Sequence, residues 1–470
     1  MEDYENKYIA LSNKLVIIGF GSIGQAILPL LFRHLKLTPS QIIIITKDEQ
    51  GAQVAKEFGL FLEIMALTPE NYLPFLMNIL SEGDFLLNLS VDVSSVSLIK
   101  LCQDKGILYL DASTEPWKGG YVDKTLSPSS RSNYALRTEV LKLKKHQAPT
   151  AVITHGANPG LVSHFVKQAL WNLANDEQLL MPHPSTAEEW ALLAKTLGIK
   201  VIHIAEHDTQ ITPRPKLANE FVNTWSAHGF IAEGSQPAEL SWGSHERHWP
   251  KDAHHHEFGS KSAIYLNRPG ASTRVRSWTP GLGSYHGYLI THAEAISIGS
   301  YLTLTNKDDL YRPTVHYAYL PCPDAILSLL ELQGSEWCEQ EEKRLIFSEI
   351  LEGIDELGVL LMGHTRGAYW YGSQLSIHEA RQLVPHNNAT SLQVASGVLA
   401  GLIWAIKNPQ KGVVEPEELD YQFILEIARP YLGKVKGYYT DWNPLRNREK
   451  LFKENLDLAD PWQFLNLRVE

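Results

Sequence analysis

Cysteine is scarce: Cys102, Cys322 and Cys338 are the only three in 470 residues. Thiols so few and so scattered exclude a disulfide framework and a four-thiolate zinc site, and they fit a reducing compartment. Positive charge is not in excess either. Lys and Arg number 42 against 53 Asp and Glu, a formal charge of −11. Phosphate neutralisation needs clustered cations, so no nucleic-acid partner is expected. A long apolar run is also missing. The longest, Ala395 to Ile406, spans 12 residues and contains Ser396. A bilayer span needs ~20. The opening stretch, MEDYENKYIALSNK, is polar and acidic, with no apolar segment of signal length. These absences predict a soluble cytoplasmic protein without a membrane partner. No internal repeat or low-complexity tract is visible.

What is present is ordinary globular material, 44% hydrophobic and 20% charged. At ~150 residues per domain, the length suggests three domains or two large ones. Residues 15–18, LVII, form a short apolar run. GFGSIG and the apolar stretch QAILPLLFRHL follow, then IIII at 42–45. This reads strand, glycine turn, helix, strand. Further strands are predicted at FLLNLS (85–90), ILYLDAS (107–113) and AVITHGA (151–157), with helical stretches between them. Such alternation implies an α/β fold with a Rossmann-type doubly wound parallel sheet. Beyond it the segments lengthen and become aromatic, and a second, mixed α+β domain is expected. There GYLITHAEAISIG reads as antiparallel strand. The expected division is 1–157 for dinucleotide binding, 158–385 for substrate and catalysis, and 411–470 as a C-terminal extension. An apolar helix at about 386–410 completes the first domain.

Gly19-Phe20-Gly21-Ser22-Ile23-Gly24 matches G-x-G-x-x-G between a predicted strand and a predicted helix, the context that gives the pattern meaning. Gly19 permits the tight turn, Gly21 admits a pyrophosphate, and Gly24 lets helix and strand pack closely. Ser22 and Ile23 open the helix, whose free N–H groups and positive dipole end suit an anion. An acidic residue about 20 positions on should hold the ribose of NAD. Thr46 sits near that place and Asp48 comes slightly late, while Lys47 could meet an NADP phosphate. Spacing favours NAD and leaves NADP open. The strand-end loops face the same crevice. Ser90 and Val91 lie in NLSVDVSS, Asp111 and Ala112 in DASTEPW, and Thr154, Gly156 and Ala157 in THGANPG. Asn158 could cap the helix that follows or bond a nicotinamide carboxamide.

The motifs VIIGFGSIGQAILPLL, NLSVDVSS, YLDASTEPW, THGANPGLVSHFV, AEHDTQ, NTWSAHGF, EGSQPAELSWG, YLITHAEA, GIDELGVLLMG and HNNATSLQVASGVL accumulate along the chain. Together, over about residues 13–460, they resemble the bacterial homospermidine synthases, within the saccharopine dehydrogenase-like group. The resemblance implies a homodimeric enzyme that uses NAD to make homospermidine from putrescine, releasing ammonia through imine intermediates. It implies a cation-binding Trp225 and substrate-binding acids Glu206, Glu233 and Asp355.

That chemistry needs a neutral reacting amine and a route for protons. His292 and Glu294 alternate in THAEA, which on a strand puts both on one face. Glu115 projects from a loop at the sheet edge and could contact the amine. Asn158 is the fourth candidate catalytic residue. No metal is expected. His245, His248, His254, His255 and His256 lack a helical H-x-x-x-H and a nearby cysteine, and read as a polar loop. Cys102, on an apolar helix face, reads as core. Two other functions compete. A sibling reductase joining an amine to a carbonyl acid, of the saccharopine or carboxynorspermidine kind, would want paired arginines, and Arg366 is the nearest candidate. A non-catalytic NAD-binding sensor would bind cofactor without turnover.

Overall fold

A computed structural model describes residues 9–306 and 309–469. The opening residues 1–8, part of the acidic stretch noted above, lie outside the described residues. The first domain is a seven-stranded sheet, parallel throughout. Its strands run in the order Val413–Val414, Ala151–Val152, Leu108–Asp111, Phe85–Asn88, Leu15–Ile18, Ile42–Thr46 and Leu62–Ile64. The order reverses beside Leu15–Ile18, so the crevice lies between that strand and Phe85–Asn88, where open α/β sheets bind ligands. Both strands are fully buried, LVII entirely apolar and FLLN apolar up to its last residue, as a sheet covered on two faces requires.

The glycine turn sits in this crevice. Gly19 has φ +90°, and a Cβ there would lie 2.6 Å from the Ser90 nitrogen. A Cβ on Gly24 would lie 2.7 Å from the Gly19 carbonyl oxygen. A Cβ on Gly21 would meet nothing within 4 Å, so that glycine faces open space. The helix Ser22–His34 starts directly after it.

The second domain is built on an eleven-stranded sheet. Its central strands are Val201–Asp208 and Thr314–Leu320, parallel to each other, and the other pairings are antiparallel. On the side of Val201–Asp208 the sheet continues through Ile354–Met362 and Ala368–Ser376 to Lys434–Thr440. The helix Ala389–Lys407 packs on the first domain's helix Ser22–His34 and strand Leu108–Asp111, and also on Ile354–Met362 and Ala368–Ser376 of the second. Its 19 residues are long and apolar enough to cross a membrane by composition, but its sides are buried inside the protein.

Three local readings change. Residues 411–470 are no appendage: they supply Val413–Val414 to the first sheet, and Lys434–Thr440 and Arg468–Val469 to the second. Two of these strands are only two residues long, so only tertiary partners make them legible. The strand expected at 151–157 stops at Val152. Thr154 is left-handed, φ 52°, and its N–H is pinned by Asp111 Oδ1 at 2.6 Å, which turns the chain out of the sheet. The segment THAEA is not strand. The strand Gly283–Tyr288 ends first, and His292 is the N-cap of the helix Ala293–Tyr301. An Ala-Glu-Ala run favours helix, and Glu294 in its first turn meets the positive dipole end.

Candidate active site

A cleft of about 800 Å³ opens between the two sheets. One wall comes from the first domain: Ile23 beside the glycine turn, Ser90 and Val91, Ala112, and Glu115. The other comes from the second domain: Glu206, Trp225, Glu233, His292 and Tyr317, with Asn158 at the junction. Three carboxylates line it, and no lysine or arginine does among the described residues.

Glu206 lies at the end of the central strand Val201–Asp208 and is 2% exposed. Asn158 donates from Nδ2 to Glu206 Oε2 (2.6 Å) and to the Tyr317 hydroxyl oxygen (2.7 Å). The Tyr317 hydroxyl itself donates to Glu206. Burial pushes the Glu206 carboxyl up to about 7, against these hydrogen bonds. Burial also pushes Glu115 up to about 8, helped by the negative charge of Glu233.

His292 stands between two carboxylates. Nε2 is 3.0 Å from Glu233 Oε2, and Nδ1 is 3.1 Å from Glu294 Oε1. Burial alone would depress the imidazole, but Glu294 and Glu233 outweigh it and hold its pKa well above the ordinary value. His292 and Glu294 thus meet across a helix cap rather than along a strand. Glu294 Oε2 is buried without a partner. Trp225 presents a half-buried ring, and its Nε1–H points to the Tyr319 hydroxyl at 3.4 Å. Tyr319 stacks on Tyr317, centroids 5.1 Å apart.

Several expected residues stand elsewhere. Asp355 is fully buried behind the wall, bonded by Thr390 Oγ1 at 2.5 Å, and it is the cross-strand partner of Asp208. Burial and the neighbouring Glu206 and Asp208 hold its carboxyl well above the usual range. It does not line the cleft itself, but touches two residues that do, Thr390 and Glu206. Asp111 is fully buried and does not line the cleft. Its oxygens take the Thr154 N–H (2.6 Å) and the Tyr109 hydroxyl (2.8 Å), and burial raises it to about 7. Thr154, Gly156 and Ala157 form the buried turn beyond it and do not line the cleft. Asn158 does not cap the following helix: its N-cap is Gly160, and the Asn158 side chain is committed to Glu206 and Tyr317. Thr46 ends its strand buried, and Asp48 takes the Gln50 N–H at 3.0 Å, so its carboxylate closes a turn. Arg366 is remote. It pairs with Asp176 (3.6 Å) over the Tyr439 ring. The five clustered histidines separate, for example His248 to Asp457 and His245 to the Trp462 carbonyl. No group of three or more His, Cys, Asp or Glu among the described residues is placed to hold a metal. Cys102 is buried in the first domain's core.

For Tyr317 and Tyr319 the sequence carries only a faint signal: Y-A-Y on a buried strand places both rings on one face. Thr390 and Asp208 carried no local signal.

The arrangement has close counterparts. Residues 15–154 match the family described as Saccharopine dehydrogenase NADP binding domain, and 156–441 match Saccharopine dehydrogenase C-terminal domain. A homospermidine synthase of Blastochloris viridis is 50% identical over 469 residues, covering 98% of each chain. One from Mesorhizobium japonicum is 50% identical over 473 residues, covering 98% of this chain and 97% of its own. The chain belongs to the homospermidine synthase family. The crystal structure of a family member from Legionella pneumophila, in complex with NAD, superposes with TM-score 0.93 at 57% identity over 99% of both chains. A saccharopine dehydrogenase (L-Glu forming) from Saccharomyces cerevisiae, 11% identical with TM-score 0.51, covers 91% of this chain and 100% of its own, and shares the fold. Membership makes the chain an enzyme with a Rossmann-type domain and a second mixed-sheet domain.

Proposed function

We propose that this enzyme converts two putrescine molecules into homospermidine and ammonia, with NAD as its resident cofactor. The observation that carries the reading is the cleft lining: three carboxylates and an indole, with one imidazole and no lysine or arginine among the described residues, beside a dinucleotide-binding turn. A diamine is a dication at neutral pH, since alkyl ammonium groups have pKa near ~10. Against these three carboxylates the lining sets one imidazole, His292 beside Glu233, so this wall favours a ligand that brings positive charge.

The residues present fit NAD. Gly21 faces open space at the N-terminus of the helix Ser22–His34, where a pyrophosphate gains free N–H groups. Ser22, Ile23, Ser90, Val91 and Ala112 would flank it. When bound, NAD supplies a hydride acceptor and returns the hydride later, so none accumulates. The chain's own groups do the rest. Trp225 offers a ring face to one ammonium, worth roughly 0.5–2 kcal/mol, and Glu206 and Glu233 supply opposite charge. Glu115 and Glu206, raised to about 8 and about 7, are better bases than ordinary carboxylates and can take the proton of a reacting ammonium. His292 faces a carboxylate from each ring nitrogen, and so can pass a proton to departing ammonia and recover it. The second amine attacks the imine carbon, ammonia leaves, and the new secondary imine is reduced. Asn158 holds Glu206 in place for this. The working form is a cytoplasmic homodimer.

A carbonyl-acid reductase would want paired arginines for the carboxylate, and no arginine or lysine lines the cleft among the described residues. A sensor would need no proton relay. The test is incubation with catalytic NAD and putrescine, reading homospermidine by mass spectrometry and ammonia by assay. Product without net NADH supports the proposal. Absent product with NAD bound refutes it.

A further inference from the structure

Outside the cleft, one buried carboxylate is tied to both domains at once. Glu239, on the strand Pro237–Ser241 of the second sheet, is fully buried. Its Oε2 accepts the Asn133 N–H (3.0 Å) and its Oε1 the Tyr134 N–H (3.3 Å). These are the first two N–H groups of the first domain's helix Asn133–Leu141. A second-domain carboxylate therefore caps a first-domain helix, where the dipole favours it. Oε2 also accepts the Thr291 hydroxyl at 2.7 Å, and Thr291 Oγ1 in turn accepts from Asn133 Nδ2 at 3.2 Å. Thr291 is the residue before His292. On the other side, His256 brings Nε2 to 3.4 Å from Glu239 Oε1. It bonds Ser129 Oγ through Nδ1 at 2.8 Å and stacks on Tyr134 with centroids 3.9 Å apart. His256 belongs to the histidine group that the sequence left without a role.

We propose that Glu239 is a positioning residue: through Thr291 it sets the place of His292, and through the helix cap and His256 it ties that place to the first domain. The inference rests on the function proposed above. His292 has to meet a substrate held against first-domain loops, so its position must be referred to that domain. Its own side-chain partners, Glu233 and Glu294, both belong to the second domain. The Glu239–Thr291 link provides the missing reference. A misplacement of about 1 Å at such a group costs on the order of a hundredfold in rate.

The test uses the whole enzyme with Thr291→Val, Thr291→Ser and Glu239→Gln. Thr291→Val removes the hydroxyl link and leaves the helix cap whole, so it folds even if changes at Glu239 do not. Expected are a kcat lowered about 10–100-fold, a putrescine KM within about twofold, unchanged NAD affinity, and recovery in Thr291→Ser. With histidine-selective labelling, the His292 imidazole signals, assigned through their loss in His292→Gln, should move in Thr291→Val and return in Thr291→Ser. That readout is independent of turnover, so a wild type that made no homospermidine would refute the function and leave this inference testable. His292 signals unmoved in Thr291→Val, or unrestored in Thr291→Ser, would overturn it.

Discussion

Raising the pH from 6 to 9 should tighten diamine binding. In the free cleft Glu206 titrates at about 7 and Glu115 at about 8, both raised chiefly by burial. A cation needs them ionised. At pH 6 the penalty for removing the Glu206 proton is roughly tenfold, and that for Glu115 roughly a hundredfold. If a diamine engages both, its apparent Kd improves by up to about 10³ between pH 6 and 9. If it engages Glu206 alone, the gain is about tenfold. Above ~pH 9 the amines begin to lose their own protons, and the gain ends. The assay is calorimetric titration of putrescine with NADH in place of NAD, so that no turnover occurs, in two buffers of different ionisation heat. Binding near pH 7 should release protons. An affinity flat across this range, or net proton uptake, would refute a cleft whose carboxylates hold protons until a cation displaces them.

Other outcomes follow from the same geometry. Trp225→Ala should weaken putrescine binding by about 2–30-fold, the worth of a cation–π contact, and spare NAD binding in the same titration; equal loss of both would remove the role given to Trp225. Gly19→Ala should abolish NAD binding, because a Cβ at φ +90° would lie within 2.7 Å of the Leu89 and Ser90 backbone; fluorescence titration with NADH checks this. The ligand-free enzyme should lose thermal stability as pH rises from 6 to 9. Glu206 and Glu115 have folded pKa values above the unfolded one, so their favourable share is present below about 4.5 and lost through 7 to 8. The raised imidazole of His292 acts in the same direction. Putrescine should restore part of the lost melting temperature at pH 9, which scanning calorimetry would show.

Much of the first domain was legible because its signals are local. A buried apolar run, a G-x-G-x-x-G turn and an amphipathic helix are adjacent in the chain, and their meaning depends on a few neighbouring torsions. The residue types for an amine site were also readable, once the motifs were matched to a family. Local alternation misled at THAEA, since a strand end and a helix cap both place polar groups two residues apart. It misled again at 151–157, where Asp111, some 40 residues earlier, turns the strand aside.

The chain alone determined that a dinucleotide turn exists, that carboxylates outnumber cations, and that Trp225, His292 and the acids are available. Tertiary structure decided which of them meet. Glu206 finds Asn158 across 48 residues, and His292 finds Glu233 across 59. Asp355 is withdrawn behind Thr390, Arg366 is left on the outside, and the last 60 residues are divided between two sheets. The physical reason is range. Torsional preference and hydrophobic period act over a few residues, whereas a raised carboxylate or a shared proton exists only where burial and distant neighbours coincide.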